Sequence, residues 1–197
     1  MEPLSGPYAG MGLSNQAGFK GCIAAWEEAG GFTKHPNRKL EIEYLDHELN
    51  SEVAVSLFER YAPTTDIFCI GISTMSIIAC QPLAAKYEIP IMCVGITADR
   101  CLTEPNDWTF RVSSGDIGNA KTHKQFFEFL IDWQGHPFET YALVCTSDDY
   151  GIGSSAVFAE KLGELGAKPI MADEVLQYGQ TTDVSGVVSK IKAANPR

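Results

Sequence analysis

Short apolar runs alternate along the chain with longer segments whose apolar residues recur at the 3.6-residue helical period. This alternation is typical of a parallel β-sheet covered by helices on both faces. The first helix, predicted over residues 12–29, carries Phe19, Cys22, Ile23 and Trp26 on one stripe and ends at a double glycine. The predicted strands are residues 40–45, 67–70, 89–94, 108–112, 141–146 and 169–175.

The later helices are marked by apolar stripes and by residues that commonly cap helices. We expect Asp116 to cap a helix whose buried stripe is Phe126, Phe127, Leu130 and Ile131. Further helices are predicted at residues 53–61, after residue 76, at 156–165 and at 184–191. The strands and helices together predict an α/β protein, with the chain crossing from one lobe to another near residue 115.

Two neighbouring strands are each followed by a turn of small and hydroxyl residues. Residues 71–76 follow the strand at 67–70, and residues 95–99 follow the strand at 89–94. The carboxyl ends of parallel strands lie at one edge of a sheet, and open α/β sheets bind ligands there. Helix N-termini at that edge favour anionic groups. The pattern predicts a small polar or zwitterionic ligand that is bound without being chemically changed.

Composition narrows the class of partner. The 197 residues include 45% hydrophobic and 20% charged residues and carry a net charge of −10. Without a basic run, this charge argues against binding of nucleic acid or of anionic membrane surfaces. The chain starts directly in a turn and stops where a helix would lead into another strand. We therefore expect a fragment that lacks its first strand and most of a second lobe.

Cysteine and histidine spacing indicates no metal site. The six cysteines form no C-x-x-C pair, and no two of the four histidines have metal-ligand spacing. We expect the cysteines to serve as small core residues. The sequence thus predicts no metal and no cofactor.

Sequence motifs also argue against an enzyme. The turn at residues 6–12 does not match G-x-G-x-x-G, and no G-x-x-x-x-G-K-[ST] occurs. Residues 71–75 lack the second glycine of a nucleophile elbow. A dehydrogenase or flavodoxin-like protein is therefore disfavoured, and we predict a binding protein.

Nine motifs in order resemble the type I periplasmic solute-binding proteins, in particular the branched-chain amino acid receptors of ABC transporters. They are residues 3–12 (PLSGPYAGMG), 25–31 (AWEEAGG), 71–76 (GISTMS), 82–84 (PLA), 89–92 (IPIM) with Thr97, 110–111 (FR), 149–151 (DYG), 182–183 (TD) and 190–192 (KIK). The resemblance implies a two-lobed, Venus-flytrap fold with Rossmann-like parallel sheets. Residues 1–115 would form lobe 1, and residues 116–197 the N-terminal part of lobe 2.

The resemblance also implies the residues that contact the ligand. Ser73 and Thr74 match the Ser/Thr turn, Gly95 and Thr97 match the second turn, and Tyr150 matches an aromatic position that lines the cleft. Because the Ser/Thr turn is one residue shorter than in many relatives, Ser73, Thr74 and Ser76 compete for one role. Capping of the following helix is an alternative duty for these hydroxyls.

The function that the resemblance implies is the extracytoplasmic solute-binding subunit of an ABC importer. Its partners would be a small amino acid or related amide, held between the lobes, and a membrane permease. Its location would be the periplasm or the extracellular surface. A ligand-sensing receptor domain or a cytoplasmic regulator with the same fold is the alternative, and cysteines that no motif pairs favour the latter.

Overall fold

The computed structural model describes residues 1–102, 107–177 and 183–194. Thr182, part of one motif, lies outside the described residues. By their internal contacts, the described residues form two units. The first comprises residues 1–96 and 107–112, and the second comprises residues 97–102, 113–177 and 183–194. The lobe boundary expected at residue 115 stays a prediction.

The first unit is built on a parallel three-stranded sheet. Its strands, in spatial order, are β1 (Phe68–Gly71), β2 (Ile91–Val94) and β3 (Thr109–Arg111). Gly71 lies beside Val94 in the register of β1 and β2, so these two strands end next to each other. The parallel arrangement predicted for the consecutive strands is confirmed.

Three helices belong to this unit: α1 (Ala9–Glu28), α2 (Ser51–Tyr61) and α3 (Thr74–Tyr87). The side chain of Asn50 caps α2 by accepting from the backbone N–H groups of Glu52 and Val53. A 3₁₀ turn, Ala62–Thr64, follows α2 and contains the helix-ending Pro63.

The core of the first unit lies where α2 and α3 cover one face of the sheet. Phe58 of α2 stacks on Phe68 of β1 with 4.0 Å between ring centroids. Ile77 and Cys80 of α3 are fully buried with them. Burial raises the pKa of the Cys80 thiol to about 12, so this cysteine stays protonated, as a core residue should.

The strand predicted at residues 40–45 is not formed. Residues 1–3 instead run beside β1, and one isolated parallel bridge joins Glu2 to Asp46. The N–H of Gly71 donates to the carbonyl of Met1, and the N–H of Glu2 donates to the carbonyl of Leu45. Leu40 and Ile42 are exposed, so the apolar alternation of this segment has no face to bury against.

The apolar stripe predicted on α1 is also not buried. Cys22 is exposed, which corrects its predicted role in the core, while Phe19, Ile23 and Trp26 are half-buried. Gly12 is the buried residue of this helix. A Cβ there would come within 2.7 Å of the Pro3 carbonyl carbon, so α1 approaches residues 1–3 at a point where only glycine fits.

The second unit contains two separate parallel ladders. In one, β4 (Thr140–Tyr141) pairs with β6 (Lys168–Pro169); in the other, β5 (Val144–Thr146) pairs with β7 (Glu174–Leu176). The strands predicted at 141–146 and 169–175 are thus each divided into two short strands. The unit's helices are α4 (Asp116–Gln134), α5 (Asp149–Glu164) and α6 (Ser185–Ala194).

Two predictions for α4 were wrong. Gly115 is the N-cap, whereas Asp116 is the first helical residue; the carboxylate of Asp99 accepts from the N–H of Ile117 and supplies the side-chain cap. The predicted apolar stripe is not buried either. Of that stripe, Phe127, Leu130 and Ile131 are half-buried and Phe126 is exposed.

Candidate functional site

The candidate site begins where β1 ends and α3 starts. Ser73 is the N-cap of α3: its hydroxyl oxygen accepts from the N–H of Ser76 at 3.1 Å. The same hydroxyl donates to the Ser76 hydroxyl at 2.8 Å. Both side chains are buried. Ser73 therefore has the capping duty considered as the alternative, and its donor and acceptor are both used inside the protein.

Thr74 is the hydroxyl that the capping arrangement leaves available. It is the first residue of α3 and is 6% exposed, and its side chain makes no hydrogen bond within the described residues. The N–H groups of Thr74 and Met75 lie in the first helical turn, where no helical carbonyl precedes them. Together they present donors at the positive end of the helix dipole.

The turn before α3 is strained at Ile72. Its φ is +63°, a left-handed conformation that is rare for a β-branched residue. Such strain costs about 1–3 kcal/mol and persists where the surrounding structure imposes it. Here β1 on one side and the Ser73 cap on the other impose it, so the direction of the peptide between strand and helix is set.

Gly95 ends β2 with a φ of +67°, which favours glycine. It is exposed, and because it has no side chain another group can approach its backbone closely. The register of β1 and β2 brings this turn to the same sheet edge as Ser73 and Thr74. The structure thus brings together three of the five predicted ligand residues.

Thr97 and Tyr150 belong to the second unit. The Thr97 carbonyl accepts from the N–H of Asp116 at 2.8 Å and so helps to start α4. Tyr150 is the second residue of α5 and is 49% exposed. Asp148 caps that helix by accepting from the N–H of Gly151. The ligand roles of Thr97 and Tyr150 stay predictions.

A buried pair that the sequence did not indicate lies beside the predicted residues. Glu2 is 5% exposed, and the amide of Asn15 donates to its two carboxylate oxygens at 3.3 and 3.4 Å. Burial raises the pKa of Glu2, and the hydrogen bond from Asn15 opposes that rise. The signal in the sequence was Glu2 itself, an acidic residue within an opening segment that is otherwise uncharged.

His47 is a second residue that sequence reasoning missed. It is fully buried; one ring nitrogen, Nδ1, accepts from the N–H of Leu49 at 3.1 Å. The other, Nε2, lies 3.3 Å from the carbonyl of Gly71 and must carry the proton that it donates. Burial lowers the pKa of His47, which keeps the ring neutral. The ring thereby anchors the end of β1.

The described residues hold neither a metal-binding cluster nor a membrane-spanning helix. They contain no group of three or more His, Cys, Asp or Glu side chains placed to hold a metal ion. No helix among them has both the length and the apolar character needed to cross a membrane. What the described site offers is hydroxyls, backbone donors and carbonyls, which are groups suited to holding a ligand.

The fold and this edge define an α/β ligand-binding protein, and comparison with known proteins names the family. The profile of the family described as "Periplasmic binding protein" matches residues 1–197. The chain therefore belongs to the periplasmic binding protein family, as the motif series predicted. This is a family of binding proteins rather than enzymes. No curated protein matched the sequence.

Solved structures show the same fold. A periplasmic binding protein from Burkholderia mallei is similar with a TM-score of 0.78 and 17% identity, over 98% of this chain and 49% of that one. A solute-binding protein of an ABC transporter from Rhodopseudomonas palustris, in complex with p-hydroxybenzoic acid, has a TM-score of 0.78 and 20% identity, and the match covers 98% of this chain and 50% of that one. A protein assigned to a branched-chain amino acid ABC transporter from Silicibacter pomeroyi has a TM-score of 0.73 and 18% identity, and the match covers 99% of this chain and 50% of that one. The chain thus spans about half the length of these proteins.

Proposed function

We propose that this chain is part of the extracytoplasmic solute-binding subunit of an ABC importer, and that its first unit binds the carboxylate of a small organic ligand. The observation that carries the proposal is the pair of turns at the adjoining ends of β1 and β2. One turn leads into a helix whose first-turn donors are available, and the other is an exposed glycine.

The ligand's carboxylate would lie at the N-terminus of α3. The N–H groups of Thr74 and Met75 and the Thr74 hydroxyl would donate to it, while Ser73 holds the turn in place. Hydrogen bonds to a charged group contribute about 1.5–3 kcal/mol each. The helix dipole adds to the attraction of an anion at this end.

A small amino acid or related amide is the ligand we favour. The Gly95 carbonyl would accept from its ammonium or amide group, and the Gly95 N–H would donate to an oxygen. Thr97 and Tyr150, in the second unit, are proposed as further contacts from the family resemblance. The relative from Silicibacter pomeroyi, assigned to branched-chain amino acid transport, supports this choice.

An aromatic carboxylic acid is the second candidate. The Rhodopseudomonas palustris structure was determined with p-hydroxybenzoic acid bound. Such an acid shares its carboxylate with an amino acid but has no ammonium group. Both candidates would therefore place a carboxylate at the N-terminus of α3. Only the amino acid would also donate a hydrogen bond from its ammonium group to the Gly95 carbonyl.

The proposal extends to partners and location. A solute-binding subunit delivers its ligand to a membrane permease, and it does so in the periplasm or at the extracellular surface. Family membership supports both statements. A sensor domain would bind its ligand in the same manner but would act on a signalling partner instead of a permease.

The test is calorimetric titration of the full natural chain with L-leucine and with 4-hydroxybenzoate. Thr74→Val keeps the shape of the side chain but removes its hydroxyl, so we expect roughly tenfold weaker binding of whichever probe binds. Thr122→Val is the matched control, because that exposed hydroxyl donates only to the Gly118 carbonyl of its own helix. Equal affinity of wild type and Thr74→Val would contradict the site assignment.

A further inference from the structure

The Glu2 carboxyl group lies in a space that glycine creates. A Cβ on Gly71 would lie 2.6 Å from the Glu2 carboxyl carbon and from its Oε2, so no other residue at position 71 leaves room for this carboxyl. Glu2 is 5% exposed, and the amide of Asn15 donates to both of its carboxylate oxygens. One route by which Glu2 can affect the candidate site is through the residue that binds its carboxylate.

That residue is Asn15 on α1. Its Nδ2 donates to both Glu2 oxygens and lies 4.0 Å from the position that a Cβ on Gly95 would occupy. The Asn15 amide thus borders the space beside Gly95, on the side where a side chain at that position would lie. Gly71, Glu2, Asn15 and Gly95 are therefore consecutive neighbours between the end of β1 and the end of β2, and the hydrogen-bonded pair Glu2–Asn15 lies in the middle.

The Glu2–Asn15 pair lies one helical turn beyond the closest approach of α1 to residues 1–3. At Gly12 the helix backbone packs against the Pro3 carbonyl, and Asn15 follows three residues later on the same helix face. The backbone contact sets how near α1 comes to the sheet. The hydrogen bond sets how the Asn15 amide is turned toward Gly95.

We propose that Glu2 and Asn15 are positioning residues that hold the Gly95 turn in its ligand-binding conformation. This inference rests on the proposed function, because it takes the Gly95 backbone as a ligand contact. It assigns Glu2 no direct contact with the ligand. A buried carboxylate with an amide as its hydrogen-bond partner is sensitive to any exchange of that amide for a second acid.

The experiment is an exchange of the acid and the amide, made in the full natural chain. Asn15→Asp places a second carboxylate about 3.3 Å from the first, and the repulsion should displace α1 from Gly95. We expect affinity for the probe that binds wild type, L-leucine or 4-hydroxybenzoate, to fall roughly tenfold. The double variant Glu2→Gln, Asn15→Asp restores one amide and one acid, and its affinity should return to within about threefold of wild type.

Two controls separate positioning from general stability and from direct contact. Phe58→Leu weakens the core elsewhere and should leave affinity unchanged at a temperature where all variants are folded. Glu2→Gln alone keeps an oxygen that accepts from Asn15, so its affinity should fall clearly less than that of Asn15→Asp. Strong loss of binding in Glu2→Gln, or no rescue in the double variant, would overturn the proposal.

A ligand-independent measurement distinguishes failure of this inference from failure of the proposed function. Hydrogen exchange of the buried Ile96 amide, which follows Gly95, should speed up in Asn15→Asp and return to the wild-type rate in the double variant. If neither probe binds wild type while exchange follows this order, the ligand is misassigned and the positioning role stands. Unchanged exchange in Asn15→Asp would overturn the positioning role.

Discussion

His47 joins the segment before α2 to the end of β1 through its two ring nitrogens. Nδ1 accepts from the N–H of Leu49, and Nε2 donates to the carbonyl of Gly71. A doubly protonated ring has no acceptor, so protonation would break the bond from Leu49. Because the ring is fully buried, its charged form is also poorly solvated.

Acidification should therefore destabilise the fold through His47. The pKa of His47 is lowered in the folded state, so the unfolded chain binds the proton first as pH falls. Stability contributed by the neutral ring is present above about pH 6.5 and is lost as pH falls toward the folded-state pKa. Urea unfolding between pH 7.5 and 5 gives the free energy of unfolding of wild type and of His47→Gln at each pH. The contribution of His47 is the difference between the slopes of these two free energies against pH. Parallel slopes would show that His47 does not titrate in this way.

At the level of residues, the sequence indicated the candidate site only where the chemistry is local. Ser73 and Thr74 were predicted because hydroxyls directly follow a strand and precede a helix. Glu2 and Asn15 are thirteen residues apart, and their hydrogen bond depends on where α1 packs. His47 was likewise read as a scattered histidine, since its partner Gly71 is 24 residues away.

Among the elements, α1 depends on few points of attachment. Gly12 is its buried residue, and most of the remaining helix is exposed or half-buried. By contrast, α2 and α3 pack on the sheet through Phe58, Ile77 and Cys80. The orientation of α1 therefore rests on its first two turns, where the backbone of Gly12 packs against Pro3.

Gly12→Ala should accordingly be destabilising although alanine is the better helix former. Its Cβ would overlap the Pro3 carbonyl, and we expect a loss of about 1–3 kcal/mol in the free energy of unfolding. Gly18→Ala on the same helix is the matched control. Nothing lies within 4 Å of its Cβ, so it should gain up to about 1 kcal/mol. Similar effects of the two substitutions in thermal unfolding would contradict this account.

Element prediction succeeded where periodicity coincides with real packing. The strands at β1 and β2 and the helices α2 and α3 were anticipated because each buries part of the apolar pattern that marks it, including Ile70, Ile91, Phe58 and Ala84. Residues 40–45 alternate as a strand should, yet pairing beside them amounts to one bridge. The spacing of apolar residues also could not show that residues 141–146 divide between two ladders. Their pairing partners lie more than 25 residues further along the chain, at residues 168–169 and 174–176.

On the scale of the whole molecule, family and fold class were predictable from ordered motifs, whereas ligand identity was not. Solved relatives with this fold include one bound to p-hydroxybenzoic acid and one assigned to branched-chain amino acid transport. The chain spans about half the length of each.

Helix α4 carries large apolar side chains that are exposed to solvent. Phe126 is 53%, Phe129 60% and Trp133 75% exposed.

These 197 residues alone should self-associate because of that exposure. The three aromatic residues are spaced by three and four positions and so share one helix face. Trp133→Lys should reduce association measured by sedimentation velocity over a range of concentrations. Ser189→Lys, at an exposed site on α6, changes the net charge equally and should not. Equal effects of the two substitutions would attribute the change to charge alone.

Under the proposed function, the left-handed backbone at Ile72 lowers the stability of the fold but favours recognition of the ligand. An engineer seeking thermostability would choose glycine or asparagine there, since either relieves the conformational cost of a branched side chain at positive φ. The same replacement would widen the range of conformations open to the peptide ahead of α3, and the donors of Thr74 and Met75 would then be less well preorganised. Selection for heat resistance and selection for tight binding would therefore favour different residues at this one position.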